Sequence, residues 1–217
     1  MTQTRIKICG ITTVADARCA VDCGADAIGL VFYARSPRAV TVEQAASIAA
    51  AVPPFVTVVA LFVDEPAQSV QRILSDVAID MIQFHGSEPA EFCEQFARPW
   101  LKALRVRPGV DLAAACREYG QGRGILLDSW QEGVPGGTGT AFDWSLAAPS
   151  LPLPVVLAGG LNESNVGAAM ARLRPAAVDV SGGVERAPGS KDLQKIERFI
   201  AAVRSADALR HGATDDQ

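Results

Sequence analysis

Val58-Val59-Ala60-Leu61-Phe62-Val63 is an apolar run with no polar residue alternating through it. A strand with one face in water alternates, whereas a strand covered on both faces, as in a parallel sheet under helices, does not. Ile28-Gly29-Leu30-Val31-Phe32 repeats the pattern upstream, and apolar runs of strand length recur near Ile6, Ala27, Val56, Met81, Leu101, Ile125, Val155 and Ala177. Each is followed by apolar residues at helical spacing. Parallel strands need such crossovers, and eight βα units in 217 residues predict one closed (β/α)8 TIM barrel over residues 1–204. The competing open, doubly wound sheet carries Gly-x-Gly-x-x-Gly after its first strand, where this chain has Cys9-Gly10-Ile11-Thr12.

Capping residues mark the helices. Thr13 with Asp16 and Thr41 with Gln44 open the first two, Pro66 suits the first turn of the third, and Ser87 and Asn162 are expected to cap the fourth and seventh. The fifth follows Pro108-Gly109, a short sixth is expected around Asp143 to Ala148, and the last runs from Lys191 to Val203. Residues 205–217 show no apolar face and are expected to be a frayed tail.

Composition narrows the function. A net charge of -4 offers no basic excess for nucleic acid, and no apolar run approaches the twenty residues of a membrane span. Five cysteines without a Cys-x-x-Cys pair suit neither a disulfide framework nor a zinc site. With a polar start at Met1 to Gln3 and no signal-peptide pattern, the chain reads as cytoplasmic, acting on a small molecule without a metal, as a monomer or homodimer.

Barrel chemistry gathers at the C-terminal ends of the strands. There the chain places Cys9 after the first strand, Arg35-Ser36-Pro37-Arg38 after the second, then Asp64, His85, Arg105 and Asp128. The last two strands end differently, in Gly159-Gly160 and in Ser181-Gly182-Gly183. Glycine lets backbone approach a ligand and loop amides cradle phosphate, so a phosphate site after strands seven and eight is expected, and with it a phosphorylated small-molecule substrate. Between Ser129 and Phe142 the connection is long, and Gly136, Gly137 and Gly139 mark it as a candidate lid. Taken singly these residues have plainer uses: Asp64 as a helix cap, His85 as a satisfied hydrogen-bonding residue, Arg105 as an ion-pair partner, and Cys9 as a small buried hydrophobe.

Lys7-Ile8-Cys9-Gly10-Ile11, Ser36-Pro37-Arg38, Gln83-Phe84-His85-Gly86, Leu127-Asp128-Ser129, Gly136-Gly137-Thr138-Gly139, Leu157-Ala158-Gly159-Gly160-Leu161 and Asp179-Val180-Ser181-Gly182-Gly183-Val184-Glu185 follow one another in order. Together they resemble the phosphoribosylanthranilate isomerase family of tryptophan biosynthesis over roughly residues 5 to 203. Gly182 departs from the pattern, which more often has a second serine. The resemblance implies an Amadori rearrangement of N-(5-phosphoribosyl)anthranilate to 1-(2-carboxyphenylamino)-1-deoxyribulose 5-phosphate, without cofactor or metal. It implies Cys9 as general base, Asp128 as general acid and Arg38 facing the anthranilate carboxylate. His85 and Asp179 then line the same pocket, with Gly159, Gly160, Ser181, Gly182 and Gly183 at the phosphate.

A thiol serves as base only as thiolate and a carboxyl as acid only when protonated, so both groups need shifted pKa values. Two rivals remain at this point. One is a Schiff-base aldolase using Lys7 on the first strand; the other is a phosphosugar-binding protein in which Cys9 and Asp128 are dispensable. Should Cys9 fail as base, Asp179 is the next strand-end candidate.

Overall fold

The computed structural model describes residues 3–129 and 151–212, with the side chains of residues 211 and 212 left aside. Eight parallel strands close into a barrel in chain order: β1 (Arg5–Cys9), β2 (Ala27–Phe32), β3 (Thr57–Phe62), β4 (Met81–Phe84), β5 (Trp100–Val106), β6 (Ile125–Ser129), β7 (Val155–Leu157) and β8 (Ala177–Val180), with β8 pairing back onto β1. Helices α1 (Val14–Asp22), α2 (Val42–Ala50), α3 (Ala67–Asp76), α4 (Ala90–Cys93), α5 (Leu112–Glu118), α6 (Val166–Leu173) and α7 (Leu193–Gly212) cover the outside. The expected barrel is the observed one.

The unbroken runs are apolar because both faces are covered. Ile28, Leu30 and Phe32 of β2 and Val58, Ala60 and Phe62 of β3 point outward into the layer shared with the helices, where the Phe32 and Phe62 rings stack with centroids 5.4 Å apart. The alternate residues point inward. Leu101, Ala103, Leu126 and Ala158 plug the barrel axis, and Val31 and Leu61 pack around Cys9 above. Truncating the fully buried Leu126 to alanine would cost about 2–5 kcal/mol, since a filled axis cannot collapse onto the cavity. Phe84 meets Phe92, Phe96 and Trp100 beside the four-residue α4, so aromatic packing replaces helix length there.

Thr13 accepts from the Asp16 amide and Thr41 forms the full capping box with Gln44, as expected. Two expected caps are corrected. Ser87 donates its amide to Asp64 while Pro89 stands at the N-cap of α4, and α6 opens at Asn165, a turn after Asn162, whose side chain accepts from Ser164. Nor does the last helix end before residue 205. It continues to Gly212, because Asp207 is buried and accepts from the Thr4 amide (2.9 Å) and hydroxyl (2.7 Å), tying α7 to the entrance of β1. The expected short helix around Asp143 to Ala148 lies outside the described residues.

Sequence patterning also missed a small hairpin after β8, with β9 (Glu185–Ala187) antiparallel to β10 (Ser190–Lys191). It sets Lys191 opposite Glu185 at the rim of the barrel mouth.

Candidate active site

Register builds the site. Lys7 and Cys9 are two residues apart on β1, so both face the barrel axis. Lys7 pairs with Asp179 of β8 and Cys9 with Gly29 of β2. Gly29 is required where it stands, since a Cβ there would meet the Cys9 sulfur at 2.7 Å. Across the mouth, Arg105 of β5 is in register with Asp128 of β6. Cys9, Arg105, Asp128 and Asp179 line a cavity of about 510 Å³ at the C-terminal ends of the strands, together with Arg38, Gln83, His85, Gly159, Gly160, Ser181, Gly182 and Gly183.

Beneath Cys9, Lys7 Nζ donates to Asp179 Oδ1 at 2.8 Å, both side chains being almost fully buried. Burial alone would favour the neutral amine, but the Asp179 carboxylate, aided by Cys9, outweighs it and raises the lysine pKa above its ordinary 10.5. An ammonium is no nucleophile. The aldolase reading of Lys7 therefore has no support in this geometry.

Burial pushes the Cys9 thiol above its ordinary 9.0, with Lys7 as the main opposing influence and Lys191 a weaker one. In the free barrel Cys9 is accordingly a thiol, contrary to the lowered pKa its expected role calls for. Two lysines nevertheless favour the thiolate whenever a ligand adds positive charge to the cavity.

Asp128 is buried and fixed at both oxygens. Its Oδ1 accepts from the Ser129 amide at 2.8 Å, and its Oδ2 lies 3.1 Å from His85 Nε2. His85 Nδ1 lies 2.9 Å from the amide nitrogen of Gln83, two residues earlier and hence on the same face. Gly159 takes φ +80°, and a Cβ there would collide with the Ser129 amide nitrogen that donates to Asp128, and would stand 3.1 Å from Asp128 Oδ1 itself. Glycine at that turn thus serves the carboxylate as well as any ligand.

Arg38 is more committed than expected. Its Nε and Nη2 donate to Glu185 Oε1 and Oε2, both at 2.8 Å, and Lys191 Nζ donates to the same carboxylate at 2.9 Å. Nη1 stays outside that pair. Burial would raise the Glu185 carboxyl, but Arg38 and Lys191 together hold it below the usual range. Two cations against one carboxylate leave this corner, beside Ser181, with excess positive charge suited to an anion. The Ser181 hydroxyl is buried there without a hydrogen-bond partner among the described residues.

The expected site residues Cys9, Arg38, His85, Asp128, Gly159, Gly160, Asp179, Ser181, Gly182 and Gly183 share one cavity. Asp64 does not line it; its carboxylate accepts from the Ser87 amide and its own amide donates to Glu88. The candidate lid residues Gly136, Gly137 and Gly139 lie outside the described residues. Sequence reasoning missed Gln83 and Lys191, and for Gln83 the signal was present in its period-two spacing from His85. A shallower groove of about 710 Å³ between α1 and α7 carries Cys19 and Cys23, but burial pushes the Cys19 thiol up to about 11 and no strand-end residue reaches it. Among the described residues, no three His, Cys, Asp or Glu side chains gather as a metal site.

The model of a family described as N-(5'-phosphoribosyl)anthranilate (PRA) isomerase matches residues 6–202. A relative from Pseudomonas putida named N-(5'-phosphoribosyl)anthranilate isomerase is 59% identical over 206 residues, covering 95% of this chain and 100% of its own. The crystal structure of phosphoribosyl anthranilate isomerase from Thermotoga maritima superposes with a TM-score of 0.86 at 40% identity, covering 94% of this chain and 100% of the other. A further structure, of a phosphoribosyl anthranilate isomerase in complex with reduced 1-(o-carboxyphenylamino)-1-deoxyribulose 5-phosphate, superposes at 0.83 with the same identity and coverage.

Proposed function

The chain belongs to the N-(5'-phosphoribosyl)anthranilate isomerase family of tryptophan biosynthesis, and we propose that it performs the Amadori rearrangement with Asp128 as general acid and Cys9 as general base. One observation carries the assignment. β6, β7, β8 and β1 form a continuous arc of the barrel wall, with Asp128 at one end, Cys9 at the other and the glycine turns between them. A phosphate seated at Gly159-Gly160 and Ser181-Gly183 would hold the attached sugar between an acid and a base. A related isomerase of the same fold has been crystallised in complex with reduced 1-(o-carboxyphenylamino)-1-deoxyribulose 5-phosphate, a ligand of the expected phosphorylated class.

In this reading Asp128 gives a proton to the furanose ring oxygen as the C1–O bond breaks, and the nitrogen lone pair forms the protonated Schiff base. With the iminium in place Cys9 releases its own proton to solvent, and the thiolate removes the C2 proton, whose electron pair moves into the C1–C2 bond and neutralises the iminium as an enolamine. The enol then tautomerises to the ketone, its O–H proton returning to the Asp128 carboxylate while C1 takes one from solvent. Atoms and electrons balance within the substrate, and no external oxidant is used. The cationic Schiff base also resolves the high thiol pKa, because it adds the positive charge that favours a thiolate beside Lys7. Arg38 Nη1 faces the anthranilate carboxylate, its orientation held by Glu185.

Supplying N-(5-phosphoribosyl)anthranilate to the purified protein and following the loss of substrate tests the proposal. Turnover is expected, and its absence would defeat the reading.

A further inference from the structure

We propose that Gln83 is a positioning residue that holds His85 as the neutral Nε2–H tautomer, so that Asp128 is oriented and the carboxylate formed as it releases its proton is stabilised. The inference rests on Asp128 acting as the acid, but it is read from different atoms. Gln83 is fully buried, and its amide nitrogen stands 2.9 Å from His85 Nδ1. With the nitrogen end of the amide turned to the ring it can only donate, which makes Nδ1 the acceptor and puts the ring proton on Nε2. That proton points at Asp128 Oδ2, 3.1 Å away.

The consequence is chemical. An imidazolium at that distance would hold the carboxylate as a full ion pair, whereas a neutral N–H donor orients the carboxyl and takes up part of its negative charge as the proton leaves. With the Gln83 amide donating into Nδ1, a second ring proton would meet a donor head-on. Of the charged and titratable groups lining the cavity with it, Cys9, Tyr33, Arg35, Arg38, Arg105, Asp128 and Asp179, His85 hydrogen-bonds Asp128 alone among the described residues. The ring is therefore set from one side by Gln83 and reads out on the other.

The other end of the same amide, Gln83 Oε1, is also informative. It is buried without a hydrogen-bond partner among the described residues, an arrangement that costs free energy unless a ligand donor completes it.

The test is the nitrogen NMR signature of His85 in wild type, Gln83→Glu and Gln83→Met. The wild type is expected to show a protonated Nε2 and a bare Nδ1 at neutral pH. Gln83→Glu is isosteric and turns the donor into an acceptor; it should place a proton on Nδ1 and lower kcat by roughly the 10²-fold or more that loss of an acid costs. Gln83→Met, which removes hydrogen bonding and keeps bulk, should lose less activity and leave His85 as a mixture of tautomers. A wild-type His85 protonated on Nδ1, or an unchanged His85 signature in Gln83→Glu, would overturn the inference. Asp128→Asn keeps the Gln83–His85 contact, so an inactive Asp128→Asn with the wrong His85 tautomer condemns only the Gln83 role. An active Asp128→Asn with the expected tautomer condemns only the acid.

Discussion

Lys7 Nζ lies 2.8 Å from Asp179 Oδ1 directly beneath Cys9, so the charge nearest the proposed base is a paired ammonium. The pairing predicts that borohydride added during turnover fixes no substrate to Lys7. A trapped adduct at Lys7 would restore the aldolase reading, because an imine can form only from the free amine.

Cys9 should titrate late in the free protein. Burial outweighs Lys7 and keeps the thiol above its ordinary 9.0, so the thiolate absorbance difference between wild type and Cys9→Ala should stay flat through pH 9.0 and grow above it. A midpoint near neutrality would mean that the thiolate is preformed and that the Schiff base is not needed to create it.

Replacing Arg38 by lysine should raise KM more than it lowers kcat. The bidentate pair with Glu185 fixes the guanidinium plane, and an ammonium cannot keep both that pair and a contact to a carboxylate through Nη1. Loss of one charge-assisted hydrogen bond costs about 1.5–3 kcal/mol, or roughly 10- to 100-fold in KM. Steady-state kinetics on the variant decide it, and an unchanged KM would remove Arg38 from the substrate contact.

Inorganic phosphate or sulfate should inhibit competitively and, in crystals, settle against Gly159-Gly160 and Ser181-Gly182-Gly183. The two glycine turns line the same cavity there, and the Ser181 hydroxyl beside them is buried without a partner among the described residues. An anion that ignores this corner at high concentration would leave the phosphate assignment without support.

The barrel was legible because its signals are local. Val58 to Val63 announces a doubly covered strand within a few residues, and Thr41 with Gln44 announces a helix start. That Cys9 and Asp128 face one cavity was legible one step later, because both stand at the C-terminal ends of strands. What escaped depends on distant residues or on contexts that override local signals. Asp179 lies 172 positions from Lys7 and nothing in either stretch names the other. Ser205 to Arg210 looks solvated by composition, yet Asp207 is buried because Thr4 arrives beneath it. The hairpin that brings Glu185 to Arg38 has strands of three and two residues, too short for any periodicity to register. The raised pKa of Cys9 in the free protein was illegible as well, because a thiol's chemistry says nothing of how deeply it is buried.

The most direct test is the turnover number of Cys9→Ser on N-(5-phosphoribosyl)anthranilate, measured beside thermal unfolding so that a loosened barrel is recognised. A hydroxyl fits the space that Gly29 leaves for the sulfur but is too weak an acid to supply an anionic base. General base catalysis contributes on the order of 10²–10⁴ in rate, so kcat should fall by about that factor while a product-like ligand still binds and the fold remains intact. A serine variant turning over near the wild-type rate would contradict the thiolate base, and with it the proposed division of labour between Cys9 and Asp128.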